Sequence, residues 1–318
     1  MTTVSDLGEV AMIQRFARRL GRSPAVVVGI GDDAAVLPWT AASYLLFASD
    51  MLVEGVHFRR CDVAPRDVGW KALACNISDI AAMGGQPTHA VVSLGLPRRL
   101  PVRFVDGLYD GLARCAKRYG VRIVGGDTVR APCLVVDVAM LGRVEKRRLV
   151  RRRGAAVGDR IFVTGRLGGS LISGRHAAFT PRLREARWLV RHLPIHAMMD
   201  LSDGLAADLW QLARASGVTL QVREPAIPVS RAAKTCLRRT CECHRWRGRQ
   251  AVWHALMDGE DFELLFTVPP AAARRMPRRL GRIPVTDIGV VTTAGVGVEW
   301  IRHNGRIAPL VPQGFRHF

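Results

Sequence analysis

Only 13 residues, Gly31 to Ser43, carry the chain from the apolar run AVVVGI into the next apolar run, SYLLFASD, and Pro38 stands among them. The spacing is decisive because Gly29, Gly31 and Ala34 imitate the G-x-G-x-x-G/A fingerprint of a dinucleotide site, and Asp50 at the end of the second run imitates its ribose-binding acid. A dinucleotide fold needs a helix between the two strands. Three helical turns do not fit in that interval with a proline inside it. Asp32 and Asp33 also occupy the place of the pyrophosphate, which two uncompensated carboxylates would repel. A dinucleotide site is therefore excluded, and the loop needs another use for its aspartates.

Strand and helix signals alternate along the chain. SDLGEVAMIQRFARRLG predicts a capped amphipathic helix, with Ser5 or Asp6 near its start and Gly21 at its end. AVVVGI and SYLLFASD predict strands. PRDVGWKALACNISDIAAMG predicts a helix with Trp70, Leu73, Ile77 and Ile80 on one face. THAVVSLGLP, VRIVGGD and CLVVDVAMLGRV predict strands, with the helix RFVDGLYDGLARCAKRYG before the second of these. The charge-rich EKRRLVRRRGAAVGD marks a boundary near residue 145. Beyond it come strand RIFVTG, helix PRLREARWLVRHL, strand or turn AMMDLSDG, helix LAADLWQLARASG, and strands DFELLFTV and VTDIGVV. The expectation is an α/β chain of two domains, 1–145 and 146–318, long enough at 318 residues and 48% apolar to bury a core in each.

No apolar run is long enough to span a bilayer, and the N-terminus lacks a signal-type apolar segment, so a cytoplasmic protein without membrane association is expected. The net charge of +20 attracts polyanions. It falls in Arg-rich loops rather than on one helix face, with no nucleic-acid-reading motif, so no specific nucleic-acid partner is expected. Most of the seven cysteines sit in apolar segments, as reduced core residues do. Cys236, Cys241, Cys243 and His244 cluster, but their spacing matches no structural zinc pattern, and a solvated loop is expected there.

The aspartates form a pattern. Asp32 and Asp33 follow one apolar run, Asp50 another, Asp127 follows VRIVGG, and Asp200 and Asp203 sit in MMDLSDG. Asp79 lies on a helix crowded with apolar residues, one turn after Asn76 on the same stripe. Any one of these could be a turn or an N-cap. Six or seven carboxylates beside Gly and Ser, with few nitrogen or sulfur partners, suit Mg2+ bridging substrate phosphates. The inferred chemistry is multi-Mg2+ phosphoryl transfer. There is no P-loop and no protein-kinase signature set.

The blocks GIGDDAAV, SDMLVEGVHF, WKALACNISDIAAMGG, VGGDTVR, GDRIFVTGRLGGS, MMDLSDGLAADL and DGEDFELLFTV, in that order over about residues 5–290, resemble the thiamine-monophosphate kinase family of the aminoimidazole ribonucleotide synthetase superfamily. The terminal GFRHF resembles that family's aromatic-x-His-Phe ending. The resemblance implies the α+β type of this superfamily, with mixed sheets flanked by helices, usually as a homodimer. Its first domain binds ATP and Mg2+ and dimerises, and its second completes the active site. The implied reaction passes the γ-phosphoryl group of ATP to thiamine monophosphate, with several Mg2+ ions and no catalytic side chain beyond positioning. The implied metal ligands are Asp33, Ser49, Asp50, Asp79, Asp127, Asp200 and Asp203; the implied ATP contacts are Tyr109, Gly126, Asp127, Arg152 and Ser202. His57, Glu260 and Phe315 would contact the acceptor, Phe315 by stacking.

The chain departs from the family at Ala48, where many members carry a hydroxyl, and at Arg316, where an acid is common. Its segment from Gly174 to Arg182 is also shorter than in some members. Two alternatives are another ATP-dependent enzyme of the superfamily and a polyanion-binding protein. The combination of GVHF with GEDFELLF speaks against the first.

Overall fold

The structure is a computed structural model that describes residues 3–21, 23–236 and 251–311. The N-terminal half opens with helices α1 (Val4–Leu7) and α2 (Glu9–Leu20), followed by strands β1 (Ala35–Pro38) and β2 (Ser43–Val53). Helix α3 (Pro65–Ala82), β3 (Gln86–Leu96), α4 (Val102–Tyr119), β4 (Arg122–Arg130) and β5 (Val135–Glu145) complete it. Its five strands lie in the order β1-β2-β5-β3-β4. Only the β3–β4 pair is parallel, with α4 as its crossover. Strands β1 and β2 form an antiparallel hairpin, so no crossover helix follows the Gly29–Ala34 loop.

The C-terminal half contains β6 (Arg160–Thr164), α5 (Leu183–His192), β7 (Ala197–Asp200), α6 (Leu205–Ser216) and β8 (Val218–Arg223). It continues through α7 (Arg231–Cys236), α8 (Val252–Met257), β9 (Leu264–Val268), α9 (Pro270–Ala273), β10 (Arg279–Leu280), β11 (Ile283–Ala294), β12 (Gly297–Ile301) and β13 (Ile307–Pro309). The sheet runs β13-β12-β8-β11-β6-β9-β7, with β10 paired to β11. Mixed sheets flanked by helices are thus what the chain forms. Among the described residues no helix is long and apolar enough to cross a membrane.

Helix α3 positions the site. It is buried all round, 14 of its 18 residues, Lys71, Asn76 and Ser78 among them, as in a helix enclosed on every side. One side packs on the N-terminal sheet. Another meets α5 and β7 of the C-terminal half, and a third meets α4. Contact with α4 is close because a Cβ on Gly69 would stand 1.9 Å from the Leu108 carbonyl oxygen, and one on Gly111 1.9 Å from that of Arg66. The core around α3 is continuous across both halves, taking in Phe162, Phe179, Met198 and Phe266. A second core fills the space between the C-terminal sheet and α6 and α8.

Several local expectations are corrected. The predicted strand over AVVVGI does not form; the segment makes only isolated bridges, Val28 to Val36 and Ile30 to Asp32, and leaves Val27 and Ile30 exposed. Gly31, at φ +119°, takes the backbone out of the extended region there. The predicted N-terminal helix is broken at Gly8, at φ +74°, and its cap is Thr3, whose hydroxyl and backbone share a capping box with Asp6. Strands β8, β12 and β13 were not legible as short runs, since their burial comes from sheet neighbours. The Cys236–His244 cluster lies largely outside the described residues, and so do Phe315 and Arg316.

Candidate active site

Three chain segments converge at the junction of the halves. Asp33 comes from the loop before β1, Asp79 from the last turn of α3, and Asp200 from the end of β7. One carboxylate oxygen of each lies within 4.8 Å of the other two. No hydrophobic periodicity dictates this meeting; it follows from α3 being clasped between the two sheets. Asp50, on the α3-facing side of β2, hydrogen-bonds Asp79. Asp203 sits one loop beyond Asp200, and Gln211 Nε2 donates to its Oδ2 at 3.0 Å.

Burial dominates the electrostatics. It raises the Asp200 carboxyl to about 7, with Asp33 adding to the rise, and Asp50 to about 6. Asp32 is also pushed to about 6, by burial and then by Asp33. Asp79 stands well above the carboxylate range, through burial and then its neighbours Asp50 and Asp200. Asp33 is raised by burial against the opposing pull of Arg152. So many desolvated acids in one place are unfavourable unless protons or cations compensate them.

Arg152 supplies one cation. Its Nε and Nη2 both donate to Asp33 Oδ1, at 3.0 and 2.6 Å, and its Nη1 donates to Gln211 Oε1 at 2.6 Å. Its backbone N–H donates to Asp32 Oδ1 at 3.1 Å. Asp33 Oδ2 is buried with no hydrogen-bond partner. A hard oxygen donor set with an orphaned carboxylate oxygen and no sulfur or imidazole fits Mg2+.

The remaining predicted residues fall into two further groups. Ser49 points to the opposite face of β2, where its hydroxyl donates to Asp137 Oδ1 at 3.2 Å. Asp127, on edge strand β4, is in register with Ser93, which in turn is in register with Asp137. Ser49 and Asp127 therefore stand apart from the Asp33–Asp79–Asp200 group. Gly126 precedes Asp127 where β4 closes on β3, and a Cβ there would lie 1.7 Å from the Val92 carbonyl oxygen. Tyr109 is half-exposed on α4, one turn after Val105, which with Thr128 lines a cleft of about 590 Å³. Ala48 is buried in the core beside Leu46 and Leu52 rather than in the site.

The third group lies at the other end of α3. Ser202 O accepts from the Glu260 N–H at 2.7 Å, joining the Asp200–Asp203 loop to the GEDFE segment. Glu260 and Phe262 have φ +53° and +49°, a conformation that non-glycine residues hold only when their surroundings impose it. The surroundings are extensive. Phe262 stacks on Phe179 at 3.8 Å between centroids, Asp261 pairs with Arg175, and Glu263 with Arg182. His57 accepts a bond from the Val53 N–H at Nδ1, 2.9 Å, which places its ring proton on Nε2.

Sequence reasoning missed Lys71, Ser78 and Gln211. Ser78 Oγ donates to Asp200 Oδ2 at 2.5 Å. Lys71, the lone cation in the apolar WKALAC stretch, was the signal that could have been followed: it lies two turns before Asp79 on one stripe.

A chain with this two-sheet architecture and carboxylate junction falls in a recognised class. The family described as AIR synthase related protein matches it twice, by its N-terminal domain over residues 31–144 and its C-terminal domain over 156–301. Within that class the thiamine-monophosphate kinase of Rhodopirellula baltica is 38% identical over 97% of this chain and 97% of its own length. That of Aquifex aeolicus is 32% identical, covering 99% of each chain. The solved structure of AaThiL complexed with AMPPCP and TMP superposes with a TM-score of 0.84 at 33% identity, covering 100% of this chain and 99% of the other. The chain belongs to the thiamine-monophosphate kinase family.

Proposed function

We propose that the chain transfers the γ-phosphoryl group of ATP to the phosphate of thiamine monophosphate, forming thiamine diphosphate and ADP. A phosphate oxygen of the acceptor bonds to the γ-phosphorus, and the bond from that phosphorus to ADP breaks. The observation that carries this reading is the meeting of Asp33, Asp79 and Asp200 within 4.8 Å, in a chain whose relatives along nearly their whole length are thiamine-monophosphate kinases.

The protein's task in such a reaction is positioning and charge. Asp33, Ser49, Asp50, Asp79, Asp127, Asp200 and Asp203 are assigned to Mg2+; the ion, when bound, neutralises phosphate charge and aligns donor with acceptor. The buried carboxylates and the orphaned Asp33 Oδ2 support the assignment for the junction. Ser49 and Asp127 lie on the outer face of the N-terminal sheet, on β2 and β4 with β5 and β3 between them, so their part in this assignment would need ions apart from the junction and from each other. Tyr109, Gly126, Asp127, Arg152 and Ser202 are assigned to ATP, and His57, Glu260 and Phe315 to the acceptor. Arg152 holds Asp33 in place, and the Ser202–Glu260 bond ties the ATP end to the acceptor end.

Residues 1–145 are taken as the ATP- and Mg2+-binding unit and 146–318 as the unit completing the site. The first unit is also assigned to a homodimer. Of the 23 exposed large apolar residues among the described ones, 17 precede residue 145; Phe47, Met51 and Val91 lie together on the sheet face turned away from α3. Exposed apolar side chains gathered on one sheet face support its assignment as an interaction surface. A cytoplasmic location fits the use of ATP and the free, buried Cys75 and Cys115.

Purified protein incubated with ATP, thiamine monophosphate and Mg2+ should release thiamine diphosphate, measured by chromatography. No product, with Asp79→Asn indistinguishable from the parent, refutes the assignment.

A further inference from the structure

Lys71 heads the fully buried side chains by size and is 1% exposed. An ammonium so far from water is stable only with its hydrogens used. Its Nζ donates to Glu260 Oε1 at 2.5 Å and to the His57 carbonyl oxygen at 2.9 Å. The two partners come from different halves: His57 from the loop after β2, Glu260 from the loop before β9. Glu260 is held through its backbone and one carboxylate oxygen. Its N–H donates to Ser202 O, its carbonyl accepts from Ser170 Oγ at 2.6 Å, and its φ of +53° is imposed by those bonds. Its second carboxylate oxygen, Oε2, is buried and has no hydrogen-bond partner. A desolvated anionic oxygen left open beside a satisfied one points to a ligand donor.

Lys71, Cys75 and Asp79 follow one another at four-residue intervals on α3, so they share a face, and Lys71 lies about 12 Å along the axis from Asp79. One end of this stripe carries the carboxylate junction. The other carries the Lys71–Glu260–His57 cluster.

We propose that Lys71 is a positioning residue for the acceptor substrate: by holding Glu260 Oε1 and the His57 main chain together, it leaves Glu260 Oε2 to accept from an N–H donor of the acceptor. The inference rests on the kinase function proposed above. Lys71 acts through Glu260, so its loss is felt by the acceptor and not by ATP.

The test is steady-state kinetics on the full-length enzyme with Lys71→Met, Glu260→Gln and the double variant. Expected for Lys71→Met is a rise of about 10- to 100-fold in KM for thiamine monophosphate, the worth of one charge-assisted hydrogen bond. The KM for ATP and kcat should stay within about threefold. The double variant should be no worse than Glu260→Gln alone, because the lysine's contribution passes through that carboxylate. An unchanged acceptor KM, or a fall in kcat with both KM values altered alike, overturns the inference. Should Lys71→Met fail to fold, the double variant, which leaves no buried charge unpaired, is compared with Glu260→Gln. Equal acceptor KM values support the proposal, and a further rise of about tenfold or more overturns it. A parent enzyme inactive on thiamine monophosphate refutes the kinase reading and this inference with it; an active parent with an indifferent Lys71→Met refutes this inference alone.

Discussion

Replacing Asp79 by Asn should strengthen the metal-free protein while abolishing its Mg2+-dependent activity. Asp79, Asp33 and Asp200 present oxygens within 4.8 Å of one another, so each ionised pair repels by about 3.5 kcal/mol at an effective dielectric constant near 20. Asparagine at position 79 removes two of the three pairs, about 7 kcal/mol if all three acids were ionised and 4.8 Å apart. Partial protonation and Arg152 already relieve part of this, since burial and the neighbouring acids hold these carboxyls well above their usual range. A gain of about 2–4 kcal/mol at pH 8 is expected. No cation is orphaned by the change, because Arg152 keeps both its bonds to Asp33. The assay is urea unfolding in chelator and in Mg2+, paired with turnover. The parent should be stabilised by Mg2+ and the variant much less so, with turnover reduced by about 100-fold or more. A variant that is destabilised in chelator and still turns over with Mg2+ would show that the three carboxylates are braced by something other than a cation, and the reasoning would fail.

Other perturbations test the scaffold. Gly69→Ala would press a Cβ to 1.9 Å from the Leu108 carbonyl oxygen and force α3 from α4, costing about 2–4 kcal/mol. Gly120→Ala, in the left-handed region with open space around it, should cost about 1 kcal/mol in the same urea melts. Burial raises Asp261 to about 7 from 3.8 in spite of Arg175, so the folded state holds this proton more tightly than the unfolded one. Stability should accordingly fall by up to about 4 kcal/mol as pH rises from about 4 to 7. Asp261→Asn should flatten that part of the profile, measured as unfolding free energy at pH 5 and 8. An equal slope in both proteins would disprove it. Met51→Glu places a charge on the exposed sheet face beside Phe47 and should lower the mass of the proposed homodimer to that of a monomer in light scattering; a dimeric mass in both proteins places the interface elsewhere, and a monomeric parent refutes the homodimer.

Legibility in the sequence tracked locality. The helices α3 and α4 and the strands β3 to β5 were readable because each carries its own apolar run, punctuated by Pro65, Pro97 and Gly120. The AVVVGI run misled because composition alone does not reveal that Gly31 turns the chain before a strand can form. The aspartates were readable as a set, since acids beside apolar residues need a reason wherever the chain puts them. Lys71 was passed over because a lysine inside a helix usually faces water; its apolar neighbours were the one local signal, and only the packing of both halves on α3 encloses it.

By itself the sequence determined the fold class, the absence of a dinucleotide crossover, and the chemistry of oxygen ligands suited to phosphate and Mg2+. These are properties of composition, spacing and side-chain type. Only the tertiary structure decided which acids meet: Asp33, Asp79 and Asp200 at one end of α3, with Ser49 and Asp127 on the far face of the sheet. It also decided that Lys71 would find Glu260, 189 residues away, at 2.5 Å. The physical reason is that contacts between distant segments are set by how sheets and helices close over a shared core, and a strand register or helix rotation of one residue would send each of those side chains elsewhere.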